Sequence, residues 1–180
     1  MINKNIYLNL GCGNDIKHNF INIDKFEFNG VDLTLDLEQD GFPFDDNSID
    51  LVFASHFLEH IRNFDHLIHE VYRVLKIGGI LHFIVPSWNS SGTFQDPTHV
   101  RFFHPNITMY LENKAKVNYY PKIKFKLIYL ARRRTGYYKR LYILLSPIIK
   151  LVGKRRFDRY VDYMLLNMYD EIHIKLKKMG

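Results

Sequence analysis

Gly11, Cys12 and Gly13 follow directly on the apolar run Ile6-Tyr7-Leu8-Asn9-Leu10, and a second short run, Phe20-Ile21-Asn22-Ile23, ends in Asp24. Glycine enters positive φ without penalty and lets a ligand approach bare backbone. An aspartate at the carboxyl end of the next strand can accept two hydrogen bonds from a ribose diol. Ligands of open α/β sheets bind outside the carboxyl ends of strands, so these two strand ends outline a nucleoside site. A second group of reactive side chains stands further on. Asp96 and His99 are proton acceptors three residues apart, and Arg101 could hold an anionic part of a substrate. A hydroxyl nucleophile must lose its proton as it attacks, and His or Asp within reach can take it. The competing reading is that residues 96–99 merely cap and orient the next helix. His56 and His60, four apart, would share a face on a helix and could chelate a metal with His99 or Asp96. No third ligand is fixed by the sequence. The expectation is therefore no metal, with the rings hydrogen-bonded in the core.

The elements that must position these groups alternate between strands and helices. Residues 31–37 carry apolar side chains at every second position, the period of a half-buried strand. Residues 41–48 are turn chemistry, and residues 49–55 read as a buried central strand. Phe64, Leu67, Ile68, Val71, Tyr72 and Leu75 form a helical stripe, which Gly78 and Gly79 should stop by entering a left-handed cap. Residues 80–85 are another buried strand, closed by Pro86. Residues 87–105, rich in Ser, Asn, Gly, Pro and His, should be a long functional loop. A short helix within residues 104–116 and strands at 123–131 and 172–176 complete the chain. Strands separated by helices predict an α/β fold with a parallel, doubly wound sheet covered on both faces. Only about nine residues separate Gly11 from Phe20, whereas a full parallel crossover needs about a dozen. The first crossover helix must be a stub.

The chain has 180 residues, 47% hydrophobic and 24% charged, which suits one folded domain. Cys12 is the sole cysteine, so there is no internal disulfide. No charged-then-apolar leader pattern precedes the first strand, and no apolar run reaches the ~20 residues of a membrane span; a cytoplasmic location is expected. The net charge of +6 is unevenly placed: nine cations and no acid stand between Ala131 and Arg156, so the remainder is net negative. Within that segment, residues 141–152 are an apolar run too short to span a bilayer but suited to an interface, with its cations toward anionic headgroups. The alternative is a helix packed on the sheet or in a homodimer contact. Arg132-Arg133-Arg134 and Tyr137-Tyr138-Lys139-Arg140 interleave cations with aromatics as a nucleic-acid surface would.

Taken in order, four stretches resemble class I S-adenosylmethionine-dependent methyltransferases, in a small, type 11-like branch with a shortened first helix. They are Leu8-Asn9-Leu10-Gly11-Cys12-Gly13; Pro43-Phe44-Asp45-Asp46-Asn47-Ser48-Ile49-Asp50-Leu51-Val52; Ser55-His56-Phe57-Leu58-Glu59-His60-Ile61; and Glu70-Val71-Tyr72-Arg73-Val74-Leu75-Lys76-Ile77-Gly78-Gly79. A similar Asp96-Pro97-Thr98-His99-Val100-Arg101-Phe102-Phe103 stretch occurs in that branch. The resemblance implies a seven-stranded, mostly parallel Rossmann-like sheet with a truncated first helix. It implies one methyltransferase domain over residues 1–180, with a basic amphipathic insertion at about 132–157. The cofactor implied is S-adenosylmethionine. Its methionine end would lie on the turn Gly11, Cys12 and Gly13 beside Asn9, its ribose on Asp24, its adenine amino group on Asp36 with Leu37 beside the ring, and its sulfonium before Ser55 and His56. Asn9 stands where an acid is usual and Asp15 where a third glycine is usual, and the missing glycine also weakens NAD as a rival. The acceptor would meet Asp96 and His99 as catalytic residues and Arg101 and His60 as substrate contacts. Because the branch accompanies surface-polysaccharide enzymes, the implied reaction is O-methylation of a sugar or lipid-linked glycan, at the inner face of the membrane. Two alternatives remain: a catalytically inactive binding module at a membrane surface, or an RNA-directed methyltransferase. The end of the fourth strand, Ala54-Ser55-His56, disfavours the latter because it lacks the Asn-Pro-Pro-Tyr type of motif used on nucleobase amines.

Overall fold

The computed structural model describes residues 5–114, 123–133, 140, 143–154, 156–157 and 169–180. A seven-stranded sheet runs in the order β3-β2-β1-β4-β5-β7-β6. Its strands are β1 (Tyr7–Leu10), β2 (Ile21–Asp24), β3 (Leu33–Thr34), β4 (Ile49–Ser55), β5 (Leu75–Pro86), β6 (Phe125–Arg133) and β7 (Glu171–Lys178). All neighbours pair in parallel except β7, which is antiparallel to both β5 and β6. β1 lies between β2 and β4, with Leu10 opposite both Ile23 and Ala54. The chain order reverses there, so the carboxyl ends of β1, β2 and β4 frame the crevice in which such sheets bind ligands.

The helical stripe read from the sequence forms α1 (Phe64–Val74), whose Phe64, Leu67, Ile68, Val71 and Val74 join Leu8, Val52, Leu81 and Phe83 of the sheet in one core. Each such side chain contributes about 1.5–3 kcal/mol on burial. Shorter helices follow among the described residues, α2 (Gly92–Gln95), α3 (Ile107–Leu111) and α4 (Ser146–Val152).

Three elements differ from the sequence reading. No stub helix forms between β1 and β2; residues 11–20 are turns. Side chains do there what a helix would do. Asn9 Nδ2 donates to the Asp15 carbonyl (2.8 Å) and to Asn22 Oδ1 (3.0 Å), which also accepts from Lys17 N (2.9 Å). The expected third strand shrinks to Leu33–Thr34, because Leu35 N still bonds to Asp24 O but Asp36 O already receives Gln39 N and Asp40 N in a turn. α1 ends at Val74, before the glycine pair. Its last carbonyls are satisfied from afar. Buried Lys178 Nζ donates to Tyr72 O (2.6 Å) and Leu75 O (2.8 Å), while Asn47 N and Ser48 N bond to Arg73 O and Val74 O. Gly78 does adopt positive φ (86°), but inside the bulge where β5 slips register against β4 between Ile49 and Leu51.

The Pro43-to-Val52 motif acquires a physical reason in Arg73. Its guanidinium grips Glu70 through two 2.8 Å bonds and donates to the carbonyls of Phe42 and Phe44 and to Asp46 Oδ1. This locks the turn that feeds β4. Glu70 is held below the usual carboxyl range, chiefly by Arg73.

Candidate active site

β1 ends in Gly11, which sits at φ 58°; a Cβ there would lie 2.0 Å from Phe57 Cδ2. No side chain fits, because the Phe57 ring packs directly on the glycine. Gly13 N donates to Asp24 Oδ2 (2.8 Å) and Phe26 N to Asp24 Oδ1 (3.0 Å), fixing the carboxylate across the mouth of the crevice. A cavity of about 270 Å3 opens at these strand ends. Gly11, Asp24, Asp36, Leu37 and His56 of the sequence-expected cofactor residues line it. Asp36 is paired with Lys25 at 2.8 Å, and that bond, first among its partners, holds the Asp36 carboxyl below its ordinary value.

The other expected cofactor residues, Asn9, Cys12, Gly13 and Ser55, do not line this cavity. Asn9 is buried, and its amide nitrogen is engaged with Asp15 and Asn22. Cys12 is buried in the turn, and desolvation, with Asp24 adding, pushes its thiol up to about 11, so it stays protonated. Gly13 acts through Asp24. Ser55 pairs with Ile84 at the end of β4 and lines neither this cavity nor the larger one beside it.

That larger cavity, about 790 Å3, lies against the loop after β5. His56, Glu59, His60, Asp96, His99 and Glu171 are among its walls. His56 and His60 line both cavities, so they form the boundary between them. They do not share a helix face. His56 ends β4 in the left-handed region (φ 50°), and His60 closes a 3-10 turn, Leu58–His60. A non-glycine residue at positive φ is a strained conformation of the kind that gathers at functional sites. His56 Nε2 is 3.1 Å from Glu171 Oε1, and Nδ1 is 3.5 Å from Glu59 Oε1, a charge contact rather than a well-formed hydrogen bond. Glu59 first, then Glu171, raises the His56 pKa against the opposing effect of burial.

Asp96 and His99 both reach this cavity, with different partners. Asp96 Oδ1 accepts from Thr98 N (2.8 Å) and Thr98 Oγ1 (2.6 Å), and these bonds lower its pKa. It is thus the turn cap of the competing reading and a poor proton acceptor. His99 Nδ1 lies 2.9 Å from the Thr93 carbonyl. Arg101, expected to contact substrate beside Asp96 and His99, does not line this larger cavity. Val100 N and Arg101 N both donate to Glu59 O, and the Arg101 side chain goes the other way, over the Phe64 ring (4.8 Å) into a separate cavity shared with Arg62 and Tyr110. Sequence reasoning assigned no role to Phe57, which forces the glycine at 11, or to Glu38, which lines the smaller cavity and accepts from Arg62 N and Asn63 N. It also gave none to Glu59. A buried acid between Leu58 and Ile61 was the only signal for it.

A nucleoside-sized cavity at the switch point of a 3-2-1-4-5-7-6 sheet, opening past two histidines onto a polar cleft, defines the class of protein. Residues 7–83 match the family model of the methyltransferase domain. That match covers less than half of the chain, from β1 into β5, and the fold is that of S-adenosylmethionine-dependent methyltransferases. Its fold is similar to that of protein BH2331 of Bacillus halodurans C-125 (TM-score 0.62, 17% identity, covering 98% of this chain and 94% of that one). It is also similar to a SAM-dependent methyltransferase from Archaeoglobus fulgidus (TM-score 0.61, 17% identity, 97% and 86%). A third likeness is to phosphoethanolamine N-methyltransferase 2 of Haemonchus contortus, solved in complex with S-adenosyl-L-methionine (TM-score 0.57, 14% identity, 100% and 50%). Comparison with curated proteins finds no significant match.

Proposed function

We propose that this S-adenosylmethionine-dependent methyltransferase acts at the oxygen of a hydroxylated, small or carrier-linked acceptor, with a sugar or lipid-linked glycan as the first candidate. One observation carries the reading: the nucleoside cavity and the polar cleft share His56 and His60. The ribose would lie on Asp24, the adenine between Asp36 and Leu37, and the sulfonium against the shared wall. Methyl transfer from an already activated sulfonium needs mainly alignment. A hydroxyl acceptor also has a proton to lose, and the larger cavity is walled by histidines and carboxylates suited to that task. An acceptor rich in hydroxyls would find partners there in Ser90, Gln95 and Asp170.

A second reading, a methyltransferase-like binding module without catalysis, is favoured by Asn9, whose amide is engaged inside the turn instead of facing a cofactor ammonium. Incubation with methyl-labelled S-adenosylmethionine and a panel of mono- and oligosaccharides and lipid-linked sugars separates the two. The expected result is label in an ether that survives base, located on oxygen by NMR. Cofactor binding with no transfer to any hydroxylated acceptor would support the binding module instead.

A further inference from the structure

Glu59 is 1% exposed, yet among the described residues neither of its carboxylate oxygens has a hydrogen-bond partner. An isolated buried carboxylate is costly, and such groups are ordinarily paired or bound to a metal. Its one ion pair among the described residues is the 3.5 Å contact from His56. Two other groups do converge on it. One ligand atom each from Glu59, His60 and His99 lie within 4.8 Å of one another, and the two rings meet edge to face at 4.7 Å between centroids.

The partners of the two imidazoles fix which nitrogen is left for a ligand. His99 Nδ1 faces the Thr93 carbonyl at 2.9 Å, and a carbonyl only accepts, so Nδ1 carries the proton and Nε2 keeps its lone pair. His60 Nδ1 is 2.9 Å from Thr98 Oγ1, whose own proton goes to Asp96 Oδ1 at 2.6 Å. That hydroxyl therefore accepts from His60, again leaving Nε2 as the basic nitrogen. Ligating histidines ordinarily have this arrangement, with the far ring nitrogen donating to a carbonyl or to a carboxylate relay that sets tautomer and orientation.

We propose that Glu59, His60 and His99 form a binding site for a divalent first-row transition ion, Zn2+ being the best-suited occupant, opening onto the acceptor cavity. Two imidazoles and one carboxylate are a donor set for such an ion, and three protein ligands leave a coordination position for substrate. All three residues line the larger cavity, and His60 also borders the nucleoside cavity. On the reading that the protein methylates a hydroxyl, the open position takes that oxygen. The ion lowers its pKa, and its proton leaves to water. The alkoxide lone pair then forms the O–CH3 bond while the S–CH3 pair returns to sulfur as the neutral thioether. His60 and His99 act in this step as ligands and not as bases. Thr98 is a positioning residue.

The test is metal uptake by the full chain, without reference to turnover. Chelator-treated protein is titrated with Zn2+ by calorimetry and with Co2+ by its visible absorption. One ion per chain is expected, with Co2+ bands of a low-coordinate N/O site. Glu59→Gln and His99→Gln should each weaken Zn2+ binding by about 100-fold or more, and Thr98→Val by about 10–100-fold. Should Glu59→Gln fail to fold, His99→Gln, on the cavity wall, still decides. Absence of stoichiometric uptake, or uptake unaltered in both ligand variants, overturns the site. Methyl transfer that proceeds fully in chelator removes the metal while leaving the hydroxyl-methylation reading intact. Tight uptake without any transfer does the reverse.

Discussion

Asp24 holds two tasks at once: its oxygens accept from Gly13 N and Phe26 N, and its remaining acceptor capacity faces the smaller cavity. Asp24→Ala should therefore weaken S-adenosylhomocysteine binding by about tenfold or more, since hydrogen bonds to a charged acceptor contribute about 1.5–3 kcal/mol each. Calorimetry at neutral pH reads this directly, and unchanged affinity in a folded variant would refute the ribose role. Asp24→Asn, which keeps an oxygen toward the turn, should fall between the two. At this scale the walls of the smaller cavity were legible at Gly11, Asp24, Asp36, Leu37 and His56. Gly11 and Asp24 declare themselves by residue type at strand ends, because few residues tolerate φ 58° against an aromatic ring and few anions end a buried strand. Glu59 did not, since its significance depends on His99, forty residues later, folding over it.

Helix α1 shows why element ends were harder to read than element identities. Its apolar stripe is intrinsic to the sequence, but its stop is imposed by Lys178, more than a hundred residues away, which reaches the carbonyls of Tyr72 and Leu75 and the Asn47 side chain. Lys178→Met should leave these buried acceptors unsatisfied and lower stability by about 2–4 kcal/mol. Urea denaturation measures it, and a loss under about 0.5 kcal/mol, the range of ordinary surface changes, would contradict the capping role. The missing first helix was likewise foreseeable only as a shortage of residues; that Asn9 and Asn22 replace it with side-chain bonds needs the fold. The basic insertion is the least settled element. Arg134, Tyr137, Tyr138, Lys139, Leu141, Tyr142 and Arg155 of the expected segment lie outside the described residues. Within them, α4 buries Ile149 but exposes Ile148 and Leu151, and Leu144 just before it is exposed as well. No described helix is long and apolar enough to cross a membrane. We propose reversible attachment to anionic lipid through this surface. Sedimentation with anionic vesicles at low salt should show binding that fades as salt rises past about 0.1 M, where charges are screened within about 10 Å. Lys150→Glu with Arg156→Glu should abolish that binding. A dimer split by Leu144→Asp, with no vesicle binding, would make the segment an assembly contact instead.

Across the whole molecule, the carboxyl ends of β1, β2 and β4 frame one crevice, and the α/β class with a mostly parallel sheet was legible because alternating elements with short connections admit few topologies. The antiparallel β7 was not, since pairing direction leaves no mark on an alternating strand. Its consequence is electrostatic: His82 on β5 is desolvated and faces Lys175 and His173 of β7 and Lys17 of the β1–β2 turn, and these push its pKa down to about 4. The imidazole is neutral in the fold and titrates near 6.5 when unfolded. The stability this contributes is complete above pH 6.5 and is lost as pH falls toward 4, by about 1–2 kcal/mol after allowance for its partly exposed ring. Thermal melts of His82→Gln should show a flatter acid limb than the parent; equal slopes would contradict the assignment. On the proposed function, one cavity seats the cofactor and the other holds the acceptor across the boundary formed by His56 and His60. A crystal structure with S-adenosylhomocysteine tests it most directly. The expected result has ribose hydroxyls on Asp24, adenine against Leu37, and sulfur at the wall shared by His56 and His60. A nucleoside seated elsewhere, or a sulfur turned away from the larger cavity, would contradict it.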